Sequence, residues 1–234
     1  MNSNEFIDEL NKLGINITEE KLNLLEKYYN LLIEWNEKIN LTAITDKEEV
    51  YLKHFYDSLT LIKAYDLTKE IKVCDVGTGA GFPGIVLKIV FDNLDITLVD
   101  ALNKRIIFLN EVIKELNLKN IVAIHARAED FAKQNIEKFD MITSRAVAKL
   151  NVLNELCIPM LKINGYFIPM KANIEEELEN SKNSIKELNS KLEDVISFNL
   201  PKENSNRNIV KIKKLGKTKE KYPRKFDKIT KNPL

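Results

Sequence analysis

The chain has 234 residues, 44% hydrophobic and 30% charged, which suits one medium-sized core and is too short for two full domains. Seven glycines and six prolines exclude a collagen-like or low-complexity chain. The apolar content excludes a disordered one, and no run of eighteen apolar residues exists to span a membrane. The net charge of +1 hides a gradient, because residues 201–234 hold twelve Lys and Arg against three Asp and Glu, leaving the first 200 residues acidic on balance.

In chain order, Leu22, Leu25, Tyr29, Leu32, Ile33 and Ile39 recur near the helical period, with Thr18 as the N-cap, and a second helix is expected from Lys47 to Ala64. No strand signal precedes Ile71, so residues 1–66 read as a helical extension on a domain of residues 67–234. From Ile71 the pattern alternates: strands at Ile71–Val76, Leu94–Val99, Ile121–Ile124, Phe139–Thr143 and Gly165–Met170. Helices are expected at Ile85–Phe91, Leu102–Leu116, a short stretch before Phe139, and Asn151–Leu161. Asn173 with Glu176 resembles a capping box that opens a further helix, and Val195–Phe198 and Ile209–Ile212 are expected to close the sheet as an antiparallel pair. The alternation predicts an α/β fold, a doubly wound and mostly parallel sheet in which the first and fourth strands are neighbours at the switch point.

The most informative segment runs from Cys74 to Gly84, Cys-Asp-Val-Gly-Thr-Gly-Ala-Gly-Phe-Pro-Gly, between a strand and a helix. Glycines there let a ligand approach the backbone, and free N–H groups at the helix start accept an anionic group. Two readings stand open. Gly79, Gly81 and Gly84 satisfy the G-x-G-x-x-G of a dinucleotide site, with Asp100 twenty-one residues after Gly79 to take a ribose, which would make an NAD-linked oxidoreductase. Alternatively, Asp75, Gly77, Gly79 and Gly81 form the acid-preceded loop of a class I S-adenosylmethionine (SAM) methyltransferase with a Rossmann-like fold. Asp75 favours the second, since an acid there repels a pyrophosphate and suits an ammonium and a sulfonium.

The motifs Asn40-Leu41-Thr42, His54-x-x-Asp57-Ser58-Leu59, the glycine loop with its Phe82-Pro83-Gly84 continuation and Asp100-x-Leu102-x-Lys104-Arg105 occur in that order. Arg127-x-Glu129, Ser144-Arg145-Ala146 and Tyr222-Pro223-Arg224 with Lys231-x-Pro233-Leu234 follow. With these motifs the whole chain resembles the bacterial ribosomal RNA small subunit methyltransferase G family, also called glucose-inhibited division protein B. The resemblance implies methyl transfer from SAM to N7 of a guanine in a loop of 16S rRNA. It also implies cofactor contacts at Gly77, Phe82, Ala128, Glu129 and Arg145, and Asp100 matches the family's acid. One departure is Pro169-Met170-Lys171-Ala172, where the family commonly has Leu-Lys-Gly.

Guanine N7 has an exposed lone pair, so positioning rather than a general base is expected to drive the chemistry, and no residue is assigned as catalytic beyond a positioning role for Arg145. His54 and Asp57 share a helix face and read as a brace or as substrate contacts. Lys104, Arg105, Lys171, Arg224 and Lys225 are the RNA-binding candidates, with Tyr222 and Phe226 among the tail charges as stacking planes. The expected partner is 16S rRNA or the small-subunit precursor; the alternative is an inactive ribosome-assembly factor. Cys74 and Cys157 have no metal-ligating neighbours in sequence, so no metal is expected, and acidic residues without a basic leader near the start argue for a cytoplasmic protein.

Overall fold

The computed structural model describes residues 1–203 and 205–234. Helix α1 (Ser3–Lys12) starts at a reciprocal cap, Asn2 Oδ1 accepting from the Glu5 N–H and Glu5 Oε2 from the Asn2 N–H. Helix α2 (Glu19–Ile39) starts at the expected Thr18 cap and ends where Asn40 turns left-handed at φ 47°. Its buried face is Leu25, Tyr28 and Leu32. The core stripe thus runs through Tyr28 rather than the expected Tyr29, whose hydroxyl reaches out to the Thr45 carbonyl at 3.1 Å.

The expected second helix is a composite of α3 (Lys47–Val50), a π-helical turn (Tyr51–Tyr56), α4 (Asp57–Leu59) and a 3-10 turn (Thr60–Lys63). A π turn widens the helix and shifts its hydrogen bonds by one residue, a geometry frequent at functional sites. Here it presents His54, Asp57 and the Lys53 carbonyl toward the sheet.

Strands β1 (Lys72–Val76), β2 (Asp95–Asp100), β3 (Ile121–His125), β4 (Phe139–Arg145), β5 (Leu161–Lys171), β6 (Ser190–Asn199) and β7 (Asn206–Lys214) form one sheet, ordered β3-β2-β1-β4-β5-β7-β6. The first five are parallel, and β7 runs antiparallel to both β5 and β6, as the sequence pattern predicts. Helices α5 (Gly84–Val90), α6 (Asn103–Glu115), α7 (Ala128–Gln134), α8 (Leu150–Cys157) and α9 (Glu175–Glu187) make the crossovers, and α10 (Phe226–Lys231) lies near the chain end. The strand order reverses between β1 and β4, which opens a crevice at their carboxyl ends.

Two boundaries differ from expectation. Helix α8 stops at Cys157 and β5 begins at Leu161, because Pro159 has no N–H to continue the helix and residues 158–160 tighten into a 3-10 turn. The Asn173 and Glu176 capping box does not form: α9 is preceded by Ile174 without a side-chain cap. Glu177 instead accepts from the Leu150 N–H at 2.6 Å and so ties α9 to α8.

Each face of the sheet is covered. One core joins α1, α2 and the composite helix to α5 and α6 through Phe6, Leu25, Tyr28, Phe55, Ile85 and Leu109; the other packs α8, α9 and α10 beneath Cys74, Phe167, Val210 and Ile229. Burial at roughly 25 cal/mol per Å² of apolar surface makes these two faces the main source of stability. The helical extension shares the first core with α5 and α6, so it borders the crevice directly.

Candidate active site

Gly77, Gly79 and Gly81 have φ of 71°, 62° and 100°, the left-handed region that glycine enters without steric cost. The Gly77 N–H and Thr78 N–H donate to the Val99 carbonyl at 2.8 and 3.1 Å, fastening the loop over the end of β2. A Cβ at Gly79 would meet nothing within 4 Å, so this face of the loop is open. A Cβ at Gly81 would lie 2.6 Å from Ile85 Cγ1 and 2.7 Å from the Tyr28 hydroxyl, which itself donates to the Ala80 carbonyl at 2.5 Å. The helical extension thus reaches the loop through Tyr28. Opposite, Ala146 is left-handed at φ 57°, and the Val147 side chain sits over Gly77.

Asp75 does not line the crevice. It is fully buried beneath the loop, with Oδ2 accepting from Thr78 Oγ1 at 2.7 Å and from the Gly84 N–H at 2.9 Å. The expected direct contact with a cationic ligand is therefore corrected: Asp75 shapes the loop and acts on a ligand only through its charge. Its Oδ1 has no hydrogen-bond partner among the described residues. Burial raises its pKa to about 6, against the lowering effect of the Thr78 and Gly84 bonds, which leaves it ionised at neutral pH.

Asp100 ends β2 and is 4% exposed. Its Oδ1 accepts from the Leu102 N–H at 2.9 Å, a turn just ahead of α6, whose own N-cap Leu102 carries no side-chain cap. Its Oδ2 accepts from the Gly79 N–H at 2.9 Å, so it also holds the glycine loop. Arg105 Nη1 reaches the same oxygen at 3.1 Å, which turns this RNA-binding candidate inward as the partner of Asp100. Ala128 and Glu129 open α7 after β3. Glu129 is 7% exposed and makes no hydrogen bond or ion pair with any described residue, an unusual state for a carboxylate that nearly buried.

Arg145 ends β4, and its Nη1 donates to Asp57 Oδ2 at 2.9 Å and to the Lys53 carbonyl at 3.0 Å. Its Nη2 lies 3.1 Å from His54 Nδ1. A guanidinium only donates, so Nδ1 is the acceptor, and the His54 Nε2–H donates to Thr42 Oγ1 at 3.0 Å. Burial, reinforced by the Arg145 charge, lowers the His54 pKa to about 3 and keeps the ring neutral. His54 and Asp57 do not pair with each other; both grip Arg145. Phe82 is 5% exposed, stacked on His54 at 4.4 Å between centroids and lying under the Arg145 guanidinium at 5.2 Å. It is packed into this cluster and the first core together with Tyr28 and Phe55.

The basic tail is mostly structural. Tyr222 is buried and donates to Glu187 Oε1 at 2.9 Å, so it offers no face to a base. Arg224 forks onto the fully buried Glu155, with Nη2 to Oε2 at 2.6 Å and Nε to Oε1 at 2.9 Å. Phe226 is half-buried against the second core. Lys171 donates to the Ala148 carbonyl at 2.5 Å and to Glu177 at 2.8 Å, its side chain 9% exposed. As RNA contacts, Arg224, Lys171 and the two aromatic planes are thus corrected to internal supports. Lys104 and Lys225 remain exposed with no partner among the described residues, as does Arg127.

Tyr28, Val147 and Arg207, whose Nε donates to Asp57 Oδ1 at 3.2 Å, belong to the site but are not singled out by the sequence. For Tyr28 the steps of three and four linking Leu25, Tyr28 and Leu32 were the available signal; for the other two only the fold brings them in. A cavity of about 1220 Å³ opens along the same edge of the sheet, lined by Lys149, Asn151, Asn173, Ser197, Asn206 and Leu234 among others, and includes no residue of the glycine loop.

The family model described as rRNA small subunit methyltransferase G matches residues 21–210. A protein of that name from Lysinibacillus sphaericus is 50% identical over 238 residues, covering all of both chains. Its counterpart from Bacillus subtilis is 48% identical over 237 residues, covering 100% of this chain and 99% of its own. Among solved structures, M. jannaschii TYW2 in complex with AdoMet superposes with a TM-score of 0.54 at 19% identity over 65% of this chain and 73% of its own. A SAM-dependent methyltransferase from Aquifex aeolicus gives 0.53 at 19% over 73% and 94%. These two likenesses establish the fold.

Proposed function

This chain belongs to the rRNA small subunit methyltransferase G family and is a SAM-dependent methyltransferase; we propose that its substrate is N7 of a guanine in a loop of 16S rRNA, presented on the small-subunit precursor in the cytoplasm. That membership sets aside the dinucleotide reading of the glycine loop. Among the described residues no helix is long and apolar enough to cross a membrane.

What carries this reading at the site is an open approach to the glycine loop beside charged groups at the carboxyl ends of β3 and β4 that keep positions without a partner among the described residues. Gly79 has an open face, Glu129 has a carboxylate without a partner, and Arg145 keeps two N–H donors. These fit SAM, which carries hydroxyls and an amine to donate and a carboxylate to accept. On this reading Gly79 lets the cofactor approach the backbone, Gly77 holds the turn beneath Val147 beside it, Asp100 and Glu129 take the cofactor's donors, and Arg145 takes its carboxylate as a charge-assisted contact. Asp75 and Phe82 support the loop from below. Ala128 starts α7 and orients Glu129.

SAM supplies a methyl group on a sulfonium, and guanine N7 already carries the attacking lone pair, so no proton has to be removed first. The residues agree with this. His54 is held neutral with both nitrogens engaged, and Asp75 is sealed from solvent. What remains for the protein is to hold two reactants in line and exclude water. Lys104, Arg127 and Lys225 are among the exposed cations without a partner among the described residues, and on this reading they meet RNA phosphates.

The test is mass mapping of 16S rRNA from a strain lacking the gene, followed by methylation of that RNA or its subunit with the purified enzyme and SAM. One 7-methylguanine should be missing and then restored. A complete set of 7-methylguanines in the deletion strain would reject the reading. The rate should show no bell shape above pH 6, because no group titrates as an obligatory base.

A further inference from the structure

We propose that Asp57 is a positioning residue for cofactor binding: its buried carboxylate, clamped between Arg145 and Arg207, fixes the Arg145 guanidinium toward the crevice. The inference rests on Arg145 as a contact of SAM.

The sheet register brings the two arginines together. Arg145 on β4 is paired with Met170 on β5, and Met170 with Ile209 on β7. Residues in register share a face, and so do residues two apart on one strand, so Arg145 and Arg207 both point to the side covered by the helical extension. Asp57, at the end of the π turn, meets them there. Its Oδ2 lies 2.9 Å from Arg145 Nη1 and its Oδ1 lies 3.2 Å from Arg207 Nε, with the residue 3% exposed. The hairpin before β7 is tied to the same turn, since Glu203 pairs with Lys53 at 3.0 Å.

A guanidinium has five N–H donors. Three of those of Arg145 are taken, by Asp57, the Lys53 carbonyl and His54 Nδ1, and all three acceptors come from the π turn and the residue after it. Two donors have no acceptor among the described residues, on a side chain only 16% exposed. A mostly buried guanidinium held on one edge and unsatisfied on the other is arranged to present that other edge to an acceptor. A carboxylate buried between two cations is costly to desolvate and gives little stability over an apolar replacement. Its retention is accounted for by the direction it imposes on Arg145. Arg207 holds the second oxygen, so the carboxylate cannot rotate away.

The experiment measures SAM affinity by calorimetry, and kcat and KM on 16S rRNA substrate, with the full-length enzyme. Asp57→Asn keeps the shape and removes the charge. It should raise the SAM Kd and KM about tenfold, the weight of one misaligned charge-assisted contact. The kcat at saturating SAM should stay near wild type, and the ligand-free melting temperature should drop by no more than a few degrees. Placed in an Arg145→Ala background, Asp57→Asn should weaken SAM no further, because it acts through that guanidinium. If Asp57→Asn does not fold, Arg207→Gln loosens the same carboxylate from its other oxygen and should raise the SAM Kd about threefold, again only when Arg145 is present. Additive losses in the double variant, or unchanged SAM binding by Asp57→Asn while Arg145→Ala weakens it, would overturn the positioning role alone. Unchanged SAM binding by Arg145→Ala would overturn the cofactor role of Arg145 and the inference with it.

Discussion

Among the arginines tied to a buried carboxylate, Arg224 and Arg145 do opposite things. Arg224, in the tail, forks onto Glu155 and also reaches the Asn232 carbonyl, which locks the chain end around α10 against α8. Arg145, at the crevice, shares Asp57 with a second arginine and keeps two donors free. A bidentate fork closes a structural contact; a guanidinium held along one edge only stays available to a ligand. The lesson is that a basic segment is functional or structural according to which of its donors the fold has already used, something net charge does not report.

The largest effect expected from this comparison is at Arg224. Arg224→Ala would leave Glu155 buried without its counter-charge, bonded only to the backbone N–H of residue 224, with a stability loss of about 3 kcal/mol read by urea unfolding. The salt dependence of RNA binding should be unchanged in whatever fraction folds. Lys104→Ala or Arg127→Ala should do the reverse, leaving stability intact and lowering the slope of log affinity against log salt by about one each. A flattened slope in Arg224→Ala would return the tail to the RNA interface.

The same contrast explains what the sequence disclosed. The sheet, its order around β1 and β4 and the antiparallel closing pair follow from local alternation and from handedness, which are short-range or general rules. The glycine loop and Asp100 are legible because left-handed glycines and a strand-ending acid leave a signature in one contiguous stretch. The partners of cations are not legible, since Arg224 finds Glu155 sixty-nine residues away and Arg145 finds Asp57 eighty-eight away. Arg105 was misread for a related reason: a rim residue one turn after an acid folds back onto it. The π turn escaped too, because the pattern from Lys47 to Ala64 fits an ordinary amphipathic helix and only the packing against Arg145 shows the widened turn.

A smaller effect separates the open glycine of the loop from the covered one. Gly79→Ala meets no neighbour, so it should cost only the left-handed penalty of about 1–2 kcal/mol, yet its methyl would stand on the face offered to SAM and weaken binding. Gly81→Ala would drive a methyl into Ile85 and the Tyr28 hydroxyl and should add an overpacking cost of about 1–3 kcal/mol. Thermal melts with and without SAM distinguish them: the ligand-induced rise should vanish in Gly79→Ala, whereas in Gly81→Ala the ligand-free melt itself should fall. A normal rise in Gly79→Ala would mean the cofactor does not lie over that glycine.

The smallest effect is in pH dependence, where the acid beneath the loop and the imidazole beside it oppose each other. Asp75 has its pKa raised from 3.8 to about 6, so between those values the folded state holds a proton that the unfolded state has lost, and stability falls as pH rises. His54 has its pKa lowered from 6.5 to about 3, so its contribution is complete above pH 6.5 and is lost as pH falls toward 3, which makes stability rise with pH over an overlapping window. Between about pH 4 and 6 the two slopes cancel in part, and the wild-type profile should be shallow there. His54→Gln should uncover the falling slope of Asp75, and Asp75→Asn the rising slope of His54, in urea midpoints measured across that range. Profiles that stay parallel to wild type in both variants would mean that neither group carries its shift in the folded protein, and the neutral His54 that accepts from Arg145 would have to be replaced by an imidazole that titrates freely.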